Sequence, residues 1–114
     1  MEETEIFEST VRPSGDLAGV YEYDGETGYF YLYQTGSNSN KVLGAIHIIS
    51  GPSDFDARDV EIRWDKESEK VGLFIRRTLW AVFVASNRGK FGGDYKPGGF
   101  PTLSPNAAAG FVSM

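Results

Sequence analysis

The chain has 114 residues and a mass of 12.6 kDa, room for one domain. With 40% hydrophobic and 14% aromatic residues it is too apolar to be disordered throughout; no cysteine and one histidine exclude disulfides, thiol catalysis, the usual zinc sites and a multi-histidine metal site within one chain. The net charge of −5 is divided, with 13 acids and 4 bases in residues 1–65 but 7 bases and 3 acids in residues 66–114, a balance that disfavours nucleic acid and suits a mixed solvated surface, head-to-tail complementarity between copies, or an acidic partner docking on the basic half.

The first ten residues, MEETEIFEST, are acidic and lack the basic and apolar regions of a secretory signal. The longest apolar runs, AIHII and LWAVFVA, are too short to span a bilayer, so the expectation is a cytoplasmic protein with no membrane contact. Five of the six tyrosines then fall in YEYDGETGYFYLY, residues 21–33, around a turn bracketed by Gly25 and Gly28. Two registers are open for this hairpin. A bulge at Gly28 puts Tyr21, Tyr23, Tyr29, Tyr31 and Tyr33 on one face and Val20, Phe30 and Leu32 on the other. An even loop, with Asp24 opposite Tyr29, separates the two tyrosine sets. Glycine at position 28 favours the bulge. On a common face the tyrosines are either structural cross-strand partners or a platform for a partner or ligand.

KVLGAIHIIS, residues 41–50, is apolar on both faces, as in a central strand covered on both sides or one whose outer face meets a partner. SDFDARD follows as a longer connection with room for one helical turn. DVEIRW is the clearest strand, with Val60, Ile62 and Trp64 alternating against Asp59, Glu61 and Arg63. After the charged turn DKESEK, VGLFI and LWAVFVA are joined by RRT as a tight hairpin. SNRGK makes the next turn and FGGDY a short edge strand. No window of a dozen residues has a 3.6-residue apolar period. These elements predict an all-β fold with little helix: an antiparallel meander of about seven or eight short strands curled into a roll or sandwich. Residues 1–96 form the β domain. Residues 97–114, broken by proline and glycine, form an extended tail that packs on its own sheet or on a neighbour's.

Chemistry-bearing motifs are sparse. DGETG and DFDARD both miss the spacing of a cation-binding loop, and FGGDYKPGG follows no strand–helix pattern and is not a phosphate loop. No cofactor is implied. His47, alone on an apolar strand, is expected to be packed and hydrogen-bonded, with a pH-sensitive interface as the other reading. A Ser–His–Asp arrangement is arithmetically available, but no G-x-S-x-G context marks one. Arg76 and Arg77 form a hairpin tip or an anion contact.

DGETGYFY (24–31), followed by VEIRW (60–64), VGLFI (71–75) and AVF (81–83), resembles a small bacterial family of uncharacterised proteins, a domain of unknown function with a D-G-x-T-G-Y-F-Y turn. The resemblance covers roughly residues 20–96 and rests on scaffold residues. It implies a fold and transfers no catalytic or binding residue. The family pattern has an asparagine–glycine turn where this chain has Arg76-Arg77. Positive φ at both positions of such a turn costs arginine roughly 1–2 kcal/mol each, so either the loop is longer and includes Thr78, or the arginines are kept for a contact.

Three functions follow in order of support. The first is a non-enzymatic, self-associating β domain that binds a second copy, as a dimer, or another protein. Its interface residues are drawn from Tyr21, Tyr23, Tyr29, Tyr31, Tyr33, His47, Arg76 and Arg77. The second is a small-molecule-binding roll with an aromatic pocket. An enzyme is third, since it requires acids such as Glu22, Asp24 or Asp94 gathered in a cleft, and no spacing in the sequence gathers them.

Overall fold

The computed structural model describes residues 5–35, 41–103 and 105–111. Its strands are β1 (Ile6–Val11), β2 (Leu17–Tyr23), β3 (Thr27–Gln34), β4 (Lys41–Ser50), β5 (Val60–Trp64), β6 (Lys70–Ile75), β7 (Thr78–Val84) and β8 (Lys90–Gly92). A one-turn 3-10 helix, Ala57–Asp59, precedes β5, and a four-residue helix α1, Pro105–Ala108, lies near the C-terminus. The strands form two four-stranded antiparallel sheets in sequential order, β1-β2-β3-β4 and β5-β6-β7-β8. This is the all-β meander folded into a sandwich. Among the described residues no helix is long and apolar enough to cross a membrane.

Alternation places one face of each sheet in a common core. Tyr21, Tyr23, Phe30, Leu32, Ile46 and Ile48 of the first sheet meet Ile62, Val71, Leu73, Ile75 and Phe83 of the second, and all are buried. Phe30 and Phe83 meet across the layer at 5.3 Å between ring centroids. At one end a run of aromatic contacts closes the core: Tyr21 to Phe55 at 6.2 Å, Phe55 to Tyr95 at 5.0 Å, and Tyr95 to Trp80 at 4.8 Å. Elsewhere β1 is stitched to β5, where Thr10 Oγ1 donates to the Ile62 carbonyl and Trp64 Nε1 donates to the Thr10 carbonyl.

Two expectations are corrected, and a third is decided between its alternatives. The first concerns the tyrosine hairpin. Glu22 pairs with Tyr29 and Tyr23 with Gly28, leaving a two-residue loop, Gly25-Glu26. Gly25 has φ +99 at the first loop position, where a II′-type turn needs glycine, and Asp24 Oδ1 accepts from the Glu26 and Thr27 amides. The loop is therefore even, and the five tyrosines divide: Tyr21 and Tyr23 point into the core while Tyr29, Tyr31 and Tyr33 lie on the outer face. The irregularity near Gly28 falls instead between β3 and β4, where pairing steps from Gly28–Ile49 to Tyr29–His47.

The second concerns β4, which is the edge of its sheet and not a central strand. Its free side is partly paired all the same: Asp94 N–H donates to the His47 carbonyl at 2.9 Å and Tyr95 N–H to the Ile48 carbonyl at 2.7 Å. Apolar residues on both sides of β4 reflect the register step, which leaves Ile48 and Ile49 both buried. The third concerns the β6–β7 turn. Ile75 pairs with Thr78, so the loop is Arg76-Arg77 alone, with φ +52 and +70. Of the two alternatives the contact holds, and it holds for Arg76. Its guanidinium donates to the Asp54 carbonyl, sits 3.2 Å from Asp54 Oδ2 and lies 3.6 Å from Asp59 Oδ2.

The outer face of the second sheet is covered from within the chain. Phe111 packs edge-on against Phe74 at 5.7 Å, directly over Gly72, where an added Cβ would lie 3.1 Å from the Phe111 ring. Lys70 Nζ reaches across to the carbonyls of Asn106 and Ala109 at the end of α1, and Ala107 is buried.

Candidate functional site

The corresponding outer face of the first sheet has no such cover among the described residues. Ladder pairing lines up Phe7 with Glu22 and Tyr29, Val11 with Ala18 and Tyr33, and Tyr33 with Val42. The face therefore carries Phe7, Val11, Val20, Tyr29, Tyr31, Tyr33 and Val42, of which Phe7, Val11 and Val42 are 64%, 52% and 51% exposed. Tyr29 and Tyr31 stack at 6.0 Å with an interplanar angle of 18°. Partial burial, then the nearby Glu22 charge, pushes the Tyr31 phenol up from its ordinary pKa and keeps it neutral. Phe7, Val20, Glu22, Tyr31, Tyr33 and Val42 together line a shallow groove.

At the β4 rim of this face stands His47, its ring edge-on to Tyr29 at 5.4 Å. Both ring nitrogens are engaged. Nδ1 lies 2.9 Å from Asp94 Oδ1 and Nε2 lies 2.8 Å from Ser50 Oγ. Asp94 reaches this position because residues 92–94 take left-handed backbone, with φ of +86, +109 and +52. At Gly93 no side chain fits, as an added Cβ would lie 2.8 Å from the His47 carbonyl. Aspartate tolerates this backbone better than most residues, and its amide and carboxylate both bind His47.

Of the residues singled out in the sequence, the structure thus gathers Tyr29, Tyr31, Tyr33 and His47 on one face. It places Tyr21 and Tyr23 beneath them in the core. Tyr23 Oη donates to the Gly51 carbonyl at 2.7 Å, whereas Tyr21 Oη is buried with no hydrogen-bond partner among the described residues, and burial pushes its pKa well up. Arg76 and Arg77 sit at the β6–β7 turn of the other sheet. Arg76 is held by Asp54, whose Oδ1 also accepts from Tyr95 Oη, and Arg77 is exposed. Sequence reasoning missed Phe7, Val11 and Val42, which no apolar period of two marks: Phe7 follows Ile6, Ser9 stands between Phe7 and Val11 on their face, and Val42 precedes Leu43. It also missed Ser50, three residues beyond His47. No group of three or more His, Asp or Glu among the described residues is placed to hold a metal ion.

Residues 2–101 match the model of a family described as "Uncharacterized protein conserved in bacteria (DUF2251)". The chain belongs to this family. The match extends on both sides of the motif-bearing residues 20–96. An uncharacterised protein of Haemophilus influenzae is 32% identical over 91 residues, covering 71% of this chain and 56% of its own length. The matched region therefore spans little more than half of that relative. No solved structure matches the chain.

Proposed function

We propose that this family member is a self-associating β domain, and that the outer face of the first sheet is where a second copy docks. The observation that carries this reading is the unequal treatment of the two sheets. The second sheet's outer face is covered by Phe111 and α1, whereas the first sheet leaves Phe7, Val11 and Val42 more than half exposed beside three tyrosines. Contiguous apolar surface rimmed by polar groups marks an interaction site in a folded domain, and tyrosine is enriched at the centre of such sites. A specific interface takes about 800 Å² from each partner, a demand that one four-stranded face and its rim can meet.

The experiment is absolute mass by light scattering at low and high salt. The expected result is a dimer that persists in salt, because the contact is apolar. Tyr31→Ser should shift the mass toward monomer with the circular dichroism unchanged, and an unchanged mass for that variant counts against the reading. The groove between Phe7, Tyr31, Tyr33 and Val42 favours a second reading, in which this face takes an apolar small molecule. A monomeric wild type whose stability rises by about 2.7 kcal/mol at a hundredfold ligand excess over Kd would select it.

A further inference from the structure

We propose that Ser50, His47 and Asp94 form a nucleophilic relay that takes the acyl group of a carboxylic ester, an activity beyond the docking function proposed above. The three side chains come from the end of β4 and from the loop after β8, and they meet through the two nitrogens such a relay requires. An ionised carboxylate has no proton to give, so Nδ1 carries the hydrogen donated to Asp94. In the neutral ring Nε2 is then left to accept from Ser50 O–H. A hydroxyl, a base within hydrogen-bond reach of it and a third group orienting that base define an activated nucleophile whatever the fold or chain order.

Contacts around the imidazole and the segment after Ser50 position this arrangement and leave it open, with the Asp94 side chain 78% exposed. Tyr29 braces the imidazole from one side. The segment after the nucleophile is pinned, with Gly51 N–H donating to the Glu26 carbonyl at 2.7 Å and the Gly51 carbonyl accepting from Tyr23 Oη. Gly51 itself has φ +94, and a Cβ added there would meet nothing within 4 Å, so the approach beside Ser50 is clear. Ser50 is exposed and the His47 side chain is 36% exposed. The left-handed backbone at Asp94 is the kind of outlier that persists where the surrounding structure imposes it, and here it aims the carboxylate at Nδ1.

The chemistry balances with water as the only co-reactant. Oγ attacks the ester carbonyl carbon as Nε2 takes the hydroxyl proton. The ester C–O bond breaks, and the departing alcohol leaves with that proton. Water then attacks acyl-Ser50 and gives a proton to Nε2, the acyl–Oγ bond breaks, Oγ recovers the proton, and the carboxylic acid departs. Tyr29, edge-on to His47 at the β4 rim of the first sheet's outer face, offers an apolar ring, so the substrate class is an ester with an aromatic or aliphatic group that can lie against it. Gly51 N–H, the amide next to the nucleophile, is already committed to Glu26 and does not serve the oxyanion. A missing oxyanion donor costs about 10²–10³ in rate, so slow turnover on activated esters is expected.

The test uses the full chain with p-nitrophenyl butyrate and, separately, an alkyl fluorophosphonate, followed by mass mapping of the labelled peptide. The expected result is a burst of nitrophenolate and one label per chain on Ser50. Ser50→Ala should abolish both. His47→Gln should slow labelling about 10²-fold. Asp94 acts through His47 as a positioning residue, so Asp94→Asn should lower the rate at saturating ester with KM and label stoichiometry unchanged. No label on Ser50 in the wild type overturns the proposal. So does undiminished ester hydrolysis by Ser50→Ala, which changes only an exposed hydroxyl and keeps the fold measurable if His47→Gln does not. Neither outcome bears on the mass measured by light scattering.

Discussion

Gly28 and Tyr21 show how one missing Cβ directs a hairpin. Tyr21 lies diagonally across the ladder from Gly28, and a Cβ at 28 would lie 2.4 Å from the Tyr21 hydroxyl oxygen and 3.0 Å from its ring. The ring is fully buried against Phe55, so it has no room to retreat. Gly28→Ala is therefore expected to cost about 1–3 kcal/mol through overpacking. The Tyr21 hydroxyl has no hydrogen-bond partner among the described residues, and a buried unsatisfied polar group carries its desolvation penalty of about 1–3 kcal/mol in full. Tyr21→Phe should thus be neutral to stabilising and should soften the Gly28→Ala defect. Urea denaturation of both single variants and the double variant measures the coupling, and strict additivity would show that the two sites do not touch as described.

Among the elements, the β6–β7 hairpin carries backbone strain that its sequence only hints at. Arg76 and Arg77 both take left-handed backbone, at roughly 1–2 kcal/mol each for a residue with a Cβ. Arg76 recovers part of this through Asp54 and Asp59, although ion pairs this exposed contribute little. Among the described residues Arg77 makes no side-chain hydrogen bond or ion pair, and it is exposed. Arg77→Gly should accordingly raise stability by about 0.5–1 kcal/mol, the left-handed strain outweighing the extra freedom of glycine in the unfolded chain. Arg76→Gly should gain less. Thermal midpoints of the two variants make the comparison, and a larger gain for Arg76→Gly would reverse the assignment. The tight turn was legible in RRT, and the need for a contact followed from the wrong residue type at a positive φ. Which acids supply it was not legible, because Asp54 is 22 residues away and reaches the turn only after the connection before β5 folds back.

For the whole molecule, the two outer faces set what is stable and what is available. Phe111 caps Gly72 and Phe74, and the Arg63 guanidinium lies over the same Phe74 ring at 4.3 Å. Phe111→Ala is expected to lower stability by about 1–2 kcal/mol, less than a fully buried phenylalanine would, since the ring is only partly covered. It should also increase binding of a hydrophobic dye by uncovering the second sheet. A variant with wild-type denaturation and dye binding would mean that the cover is energetically idle. The open face of the first sheet was only partly foreseeable. Tyr29, Tyr31 and Tyr33 sit at alternate positions and had to share a side, but one residue of register decided whether Tyr21 and Tyr23 joined them.

The order of hydrophobic and turn residues determined by itself that this chain is all-β, sequentially paired and nearly free of helix, because strand alternation and glycine-marked turns are local properties. DVEIRW carries its burial in its own period of two, with Val60 and Ile62 buried on either side of exposed Glu61. Only the tertiary structure decided which tyrosines face water, that β4 is an edge, and that Asp94 meets His47. Each of these depends on a register step or on backbone at positive φ, and on partners far apart along the chain: 47 residues separate His47 from Asp94. Local pattern constrains a residue's side of a strand. Convergence of side chains from separate segments is settled by how the two sheets close on each other.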